Sequence, residues 1–202
     1  MIKLEIEGKP IIASGFLLKF CNSDTQDTFY CLMSNEHVIT KNAIQNKDKI
    51  YIYYDNKSKT REIQLNENER YIKSFRDIGL DITVVEILDK ENISIDYFLE
   101  PLLDVNNITL INSNIYRVQY PKRNELMFSI GKIKEINKYE FSYLPSEGKG
   151  SSGSPIFLEN DIKVLGIHIA SSNQSYEMYG EFIYPVINLV KNDISGKRNN
   201  NK

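Results

Sequence analysis

Apolar and polar residues alternate with a period of two along most of this chain, the signature of half-buried β-strands. Lys3-Leu4-Glu5-Ile6-Glu7 alternates strictly, and Ile11 to Phe20 predicts a second strand carrying the small pair Ser14-Gly15. The polar run Asn22 to Thr28 predicts a turn into a strand over Phe29 to Ser34. Asn35 to Asn42 reads as one short helical turn, which places His37 at the end of that rigid strand. Ile50 to Tyr54, Glu62 to Leu65, Tyr71 to Ser74 and Ile82 to Leu88 complete roughly six or seven strands, enough for a small Greek-key barrel.

Residues 89 to 107 are rich in Asp, Asn and Glu and are interrupted by Pro101, which predicts a crossover between two halves. The second half predicts strands at Ile115 to Tyr120, Leu126 to Ile136, Tyr139 to Tyr143, Ser154 to Leu158, Val164 to Ala170 and Glu181 to Tyr184. Pro185 stands at the first turn of a short amphipathic helix over Val186 to Val190. The expected organisation is an N-terminal unit over 1–95, a linker over 96–107, a C-terminal unit over 108–194 and an unstructured polar tail from Ser195 to Lys202.

Composition narrows the functional classes. With 25 Lys and Arg against 27 Asp and Glu, the net charge of −2 provides no electrostatic footprint for nucleic acid or an anionic membrane. No apolar run approaches the roughly 18–20 residues of a membrane span. The opening Met-Ile-Lys-Leu-Glu-Ile-Glu carries charges where a signal peptide needs an apolar stretch, so the expected setting is the cytoplasm, alone or as a domain or subunit of a larger assembly. Two histidines, His37 and His168, and two cysteines, Cys21 and Cys31, offer no zinc spacing. The cysteines lie on two arms of one hairpin and are expected as reduced thiols, although a disulfide between the arms is geometrically possible.

Candidate chemistry concentrates in Gly150-Ser151-Ser152-Gly153-Ser154-Pro155, followed by Ile156-Phe157. Glycines flank Ser152 on both sides, and Pro155 fixes the exit into an apolar strand. Such a turn can expose a hydroxyl nucleophile while the N–H groups of Gly150 and Ser152 converge on an oxyanion. Taken alone, the same residues also suit a plain Ser/Gly loop between strands. A serine nucleophile needs a base, and the rest of the chain decides between the two.

The turn resembles the nucleophile turn Gly-x-Ser-Gly-x-Pro of chymotrypsin-fold serine peptidases. Tyr30-Cys31-Leu32-Met33-Ser34-Asn35-Glu36-His37-Val38-Ile39 is similar to that family's strand ending in Ser/Thr-x-x-His-Val, and Gly79-Leu80-Asp81-Ile82-Thr83-Val84-Val85 to its aspartate opening a β-branched strand. The order His37, Asp81, Ser152 is the chymotrypsin order. The chain looks closest in style to the Deg-like, glutamyl-endopeptidase and viral chymotrypsin-like branches. The resemblance implies an all-β fold of two six-stranded Greek-key barrels with a short C-terminal helix. It implies a serine endopeptidase acting on polypeptides without metal or organic cofactor: Ser152 as nucleophile, His37 as base, Asp81 orienting His37, and an oxyanion hole at Gly150 and Ser152. Asp77, four residues before Asp81, is the rival for the third role.

Digestive members carry an aspartate immediately before the nucleophile, where this chain has Ser151, so the resemblance implies no activation by N-terminal cleavage. It also places Val164 to Ser171 along one wall of the pocket for the residue before the scissile bond. His168, with Ser146, Ile169 and Ser171, would line that pocket, and hydroxyl and imidazole groups there suit Glu or Gln rather than Lys or Arg; the other reading of His168 is a core histidine satisfied by a neighbouring tyrosine. Glu147, as a neighbouring carboxylate, tilts the choice toward Gln. Two other functions remain open: a catalytically silent module that keeps the fold for binding, and an esterase using the same triad.

Overall fold

The computed structural model describes residues 2–7, 9–22, 26–55, 58–105, 107–120, 126–145, 152–171 and 177–199. The first half builds β1 (Ile2–Ile6), β2 (Lys9–Cys21), β3 (Thr28–Ser34), β4 (Lys49–Tyr54), β5 (Lys59–Gln64), β6 (Ile72–Ser74) and β7 (Thr83–Glu86), with a one-turn helix α1 (Lys41–Gln45) after β3. These form one antiparallel sheet in the order β5-β4-β1-β2-β3-β7-β6. It has one strand more than six, and its ladder stays open between β5 and the three-residue β6. The sheet curves because β2 serves two partners. Its first part pairs with β1 up to Gly15 opposite Ile2, and from Phe16 opposite Met33 it pairs with β3. Gly15 sits where the strands crowd: a Cβ there would lie 3.0 Å from the Met33 carbonyl oxygen. The alternation seen in β4 is kept in space, with Ile50, Ile52 and Tyr54 inward and Lys49, Tyr51 and Tyr53 half-exposed.

After the short helix α2 (Asn107–Leu110), the second half builds β8 (Asn114–Gln119), β9 (Met127–Asn137), β10 (Glu140–Pro145), β11 (Pro155–Leu158), β12 (Val164–Ser171) and β13 (Met178–Phe182). They close into a barrel in the order β10-β13-β12-β11-β8-β9. The arrangement of a closed six-stranded barrel against a half-barrel sheet is the chymotrypsin double-barrel fold, as expected. The crossover holds the halves together by backbone hydrogen bonds. Lys19 N–H donates to the Leu99 carbonyl at 2.8 Å, and three residues on Leu102 N–H donates to the Val164 carbonyl of β12 at 2.9 Å.

A shared apolar cluster joins the units more firmly. Phe16, Leu18, Met33, Phe75, Ile82 and Val84 from the first half pack with Phe157, Val164 and Ile167 from the second. Each such buried side chain contributes about 1.5–3 kcal/mol of hydrophobic stabilisation. The final helix α3 (Tyr184–Asn199) adds Val186, Ile187 and Val190 to this cluster. It is longer than the segment expected from Val186 to Val190, and the tail expected to be unstructured from Ser195 is helical to Asn199. Tertiary contacts extend it. Asn22 donates its side-chain amide to Ser195 Oγ at 2.9 Å, and Asp193 accepts from Tyr71 Oη and Lys73 Nζ, both at 2.7 Å. Cys31 and Cys21 are free thiols, opposite Leu18 and Thr28 respectively, and burial pushes the Cys31 thiol pKa well up.

Candidate active site

His37 lies in the turn between β3 and α1, and Asp81 in the segment just before β7. β3 and β7 are hydrogen-bonded neighbours, with Ser34 opposite Thr83, so their ends bring the two segments side by side. Polar bonds then fix both. Asn35 Nδ2 and Glu36 N–H donate to the Asp81 carbonyl at 2.9 and 3.2 Å, and Thr83 Oγ1 donates to the Ile39 carbonyl at 2.9 Å. Within this frame the Asp81 carboxylate accepts twice from one residue: from His37 N–H at Oδ1, 3.0 Å, and from His37 Nδ1 at Oδ2, 2.5 Å. A carboxylate only accepts, so Nδ1 carries the proton and Nε2 is left with a lone pair. The Asp81 side chain is 12 % exposed and that of His37 47 %, so the pair is anchored on one side and open on the other. Asp77, the rival, is exposed and accepts from Lys41 Nζ at 2.6 and 2.7 Å, away from His37.

The serine turn is held against both halves. The Ser152 carbonyl accepts from Ser14 N–H of β2 at 2.9 Å. Gly153 N–H donates to the His168 carbonyl at 3.1 Å, and His168 N–H returns a bond to Ser154 at 2.9 Å. Gly153 adopts φ of 85°, and a Cβ there would fall 1.9 Å from the Ser14 carbonyl oxygen and 2.8 Å from Ser34 Oγ. Only glycine allows this approach. Ser34 ends β3 three residues before His37, so the turn carrying Ser152 is packed against the strand that leads into the imidazole. Gly150, the other proposed oxyanion donor, lies outside the described residues, as do Ser146, Glu147 and Ser151.

His168 is 2 % exposed, inside the barrel opposite Gly180. Its Nδ1 lies 2.9 Å from Tyr143 Oη. Burial, then the charge of Arg117, pushes its pKa down to about 3, so the ring is neutral. Ile169 is half-buried and Ser171 exposed at the end of β12.

Sequence reasoning missed two residues here. Glu181 of β13 is 4 % exposed, and its carboxylate accepts from Asp81 N–H at 2.9 and 3.1 Å. Burial raises its pKa to about 7 against the Asp81 N–H bond, which lowers it. Nothing local to β13 marks it, because its partner is in the other half. Arg117 is different: Ile115, Arg117 and Gln119 share the inward face of β8, and a charge there is a visible break of pattern.

The chain matches the family model described as a trypsin-like peptidase domain over residues 13–167, which takes in His37, Asp81 and Ser152. No curated protein matches it by sequence. Solved structures match by shape. A Glu endopeptidase aligns with TM-score 0.67 at 16 % identity, covering 94 % of this chain and 89 % of that one. A serine endoprotease from Yersinia pestis aligns with TM-score 0.66 at 14 % identity, over 95 % of this chain but only 61 % of that chain's length. Deg5 aligns with TM-score 0.60 at 15 % identity, covering 93 % of this chain and 85 % of that one. At such identities the likeness is one of fold.

Proposed function

We propose that this chain, which belongs to the trypsin-like peptidase domain family, is a serine endopeptidase with Ser152 as nucleophile. The observation that carries the reading is the His37–Asp81 pair, oriented by two bonds and with Nε2 left free. Ser152 Oγ attacks the scissile carbonyl as His37 Nε2 takes its proton. The backbone N–H groups of Gly150 and Ser152 receive the oxyanion. His37 then returns the proton to the leaving amine, and water repeats the sequence on the acyl-enzyme. Asp81 holds the tautomer throughout and stabilises the imidazolium.

The preferred residue before the cut is Glu or Gln. Supporting this, His168 is a buried neutral imidazole whose Nδ1 is occupied by Tyr143 and whose ring also bonds the Tyr179 backbone, a partner that a substrate oxygen would replace at Nε2–H. A fold neighbour bears the name Glu endopeptidase. The test is fluorophosphonate labelling of wild type and Ser152→Ala, followed by a peptide-library cleavage profile. Labelling that is lost in Ser152→Ala, with cleavage after Glu or Gln, is the expected result. Labelling without peptide cleavage would favour an esterase, and no labelling at all a silent module.

A further inference from the structure

The closed barrel contains a cation that the mechanism above leaves unused. Arg117 is 1 % exposed, on the inward face of β8. Its Nη1 donates to Tyr143 Oη at 2.7 Å and lies 3.0 Å from Met178 Sδ. Nε and Nη2 have no partner, and no carboxylate pairs with the guanidinium among the described residues. The one carboxylate on the adjoining stretch of β13, Glu181, is turned to Asp81 N–H instead. Arginine keeps its proton in proteins, so a full positive charge stays inside a low-dielectric barrel with no counter-ion among the described residues.

Hydrogen-bond direction fixes what this charge does. Arginine only donates, so Tyr143 Oη is the acceptor from Nη1, and its single proton goes to His168 Nδ1, 2.9 Å away. The ring proton of His168 is thereby placed on Nε2. A neutral N–H donor alone can donate to the carboxamide oxygen of glutamine as well as to a carboxylate. The charge behind it separates the two: a buried cation gains much more from an anion than from a dipole.

We infer that Arg117 is the residue that makes the pocket prefer glutamate over glutamine, holding the His168 tautomer through Tyr143 and supplying the positive charge that a substrate carboxylate neutralises. This rests on the reading of His168 as part of the pocket for the residue before the cut. It opposes the tilt toward glutamine expected from Glu147.

The test compares two fluorogenic peptides that differ only in Glu or Gln before the cut, with fluorophosphonate labelling of each variant as the monitor of folding. Wild type is expected to show kcat/KM at least about tenfold higher for Glu. Arg117→Gln is expected to lose about tenfold or more on the Glu peptide and to bring the ratio near one, while Arg117→Lys, which keeps the charge, retains a preference for Glu. In wild type the ratio should also shrink as pH falls toward the ordinary glutamate range near 4.3, where the substrate carboxylate is neutralised; this arm needs no variant to fold. A wild-type ratio of one or below, an unchanged ratio in folded Arg117→Gln, or a folded Arg117→Lys without the preference overturns the inference and leaves the peptidase reading standing. Cleavage after neither residue overturns the pocket reading itself.

Discussion

The two halves use their interiors differently. Inside the N-terminal sheet, Ile2, Leu4, Leu32, Ile50, Ile52, Ile63 and Leu65 make an apolar core, and the chemistry-bearing His37 and Asp81 sit on connecting segments at its rim. Inside the C-terminal barrel, Arg117, Tyr143 and His168 bring polar groups from three strands into the space that apolar residues fill elsewhere. A proton-transfer pair must reach solvent-exchanging substrate and needs only a rigid frame. On the proposed function, the barrel groups recognise substrate and gain strength there from exclusion of water. The first half keeps its polar chemistry at the rim of an apolar core, and the second takes polar groups inside.

The strongest test of that division removes the chemistry. Ser152→Ala and His37→Ala should each lower kcat by roughly 10⁴-fold or more with little change in melting temperature, and the double variant should lose little further. Asp81→Asn should lose several orders of magnitude, and Asp77→Asn, whose exposed pair with Lys41 is worth at most about 1 kcal/mol, should lose almost nothing. Steady-state kinetics on one good peptide decides this, and a Ser152→Ala enzyme retaining a tenth of wild-type turnover would break the assignment.

Next in size is a contrast in stability. Ile52→Ala in the N-terminal core should cost about 2–5 kcal/mol. Arg117→Met should be neutral or stabilising, because it replaces a buried charge that meets no carboxylate among the described residues with an apolar side chain of similar length. Urea denaturation of both variants checks the pair, and a large loss in Arg117→Met would mean that the guanidinium is structural. His168→Val should lower kcat/KM on the best substrate by about 10²-fold and flatten the preference before the cut, because a buried N–H donor is lost; a cleavage-library profile identical to wild type would separate His168 from the pocket.

The smallest effect is in the pH dependence of stability, where two buried groups pull in opposite directions. Glu181 rises from 4.5 unfolded to about 7 folded, so the native state binds the extra proton and this contribution is full below 4.5 and lost as pH rises to about 7. His168 falls from 6.5 unfolded to about 3 folded, so its contribution is present above 6.5 and lost as pH falls toward 3. Between roughly pH 4.5 and 6.5 they offset each other. Glu181→Gln should therefore leave a melting temperature that climbs more steeply with pH across this window than that of wild type, and an unchanged slope would show that Glu181 does not titrate there.

The sequence by itself determined the strand pattern, the family and the three ordered signatures around His37, Asp81 and Ser152, because alternation and tight turns are local properties that few residue choices satisfy. Gly153 was visible for the same reason: a neighbour of a turn serine with positive φ must be glycine. Only the tertiary structure decided which aspartate meets His37, since Asp77 and Asp81 differ by one 3₁₀ turn in sequence but face Lys41 and His37 in space. It also extended α3 past Ser195, through contacts to Asn22 made across 173 positions. The Arg117–Tyr143–His168 line joins β8, β10 and β12, and the Asp81–Glu181 bond joins the two halves, so Arg117 breaks a local pattern but the pairings themselves leave no local trace. Barrel closure brings such groups together, and the cost of burying them depends on partners that only closure supplies.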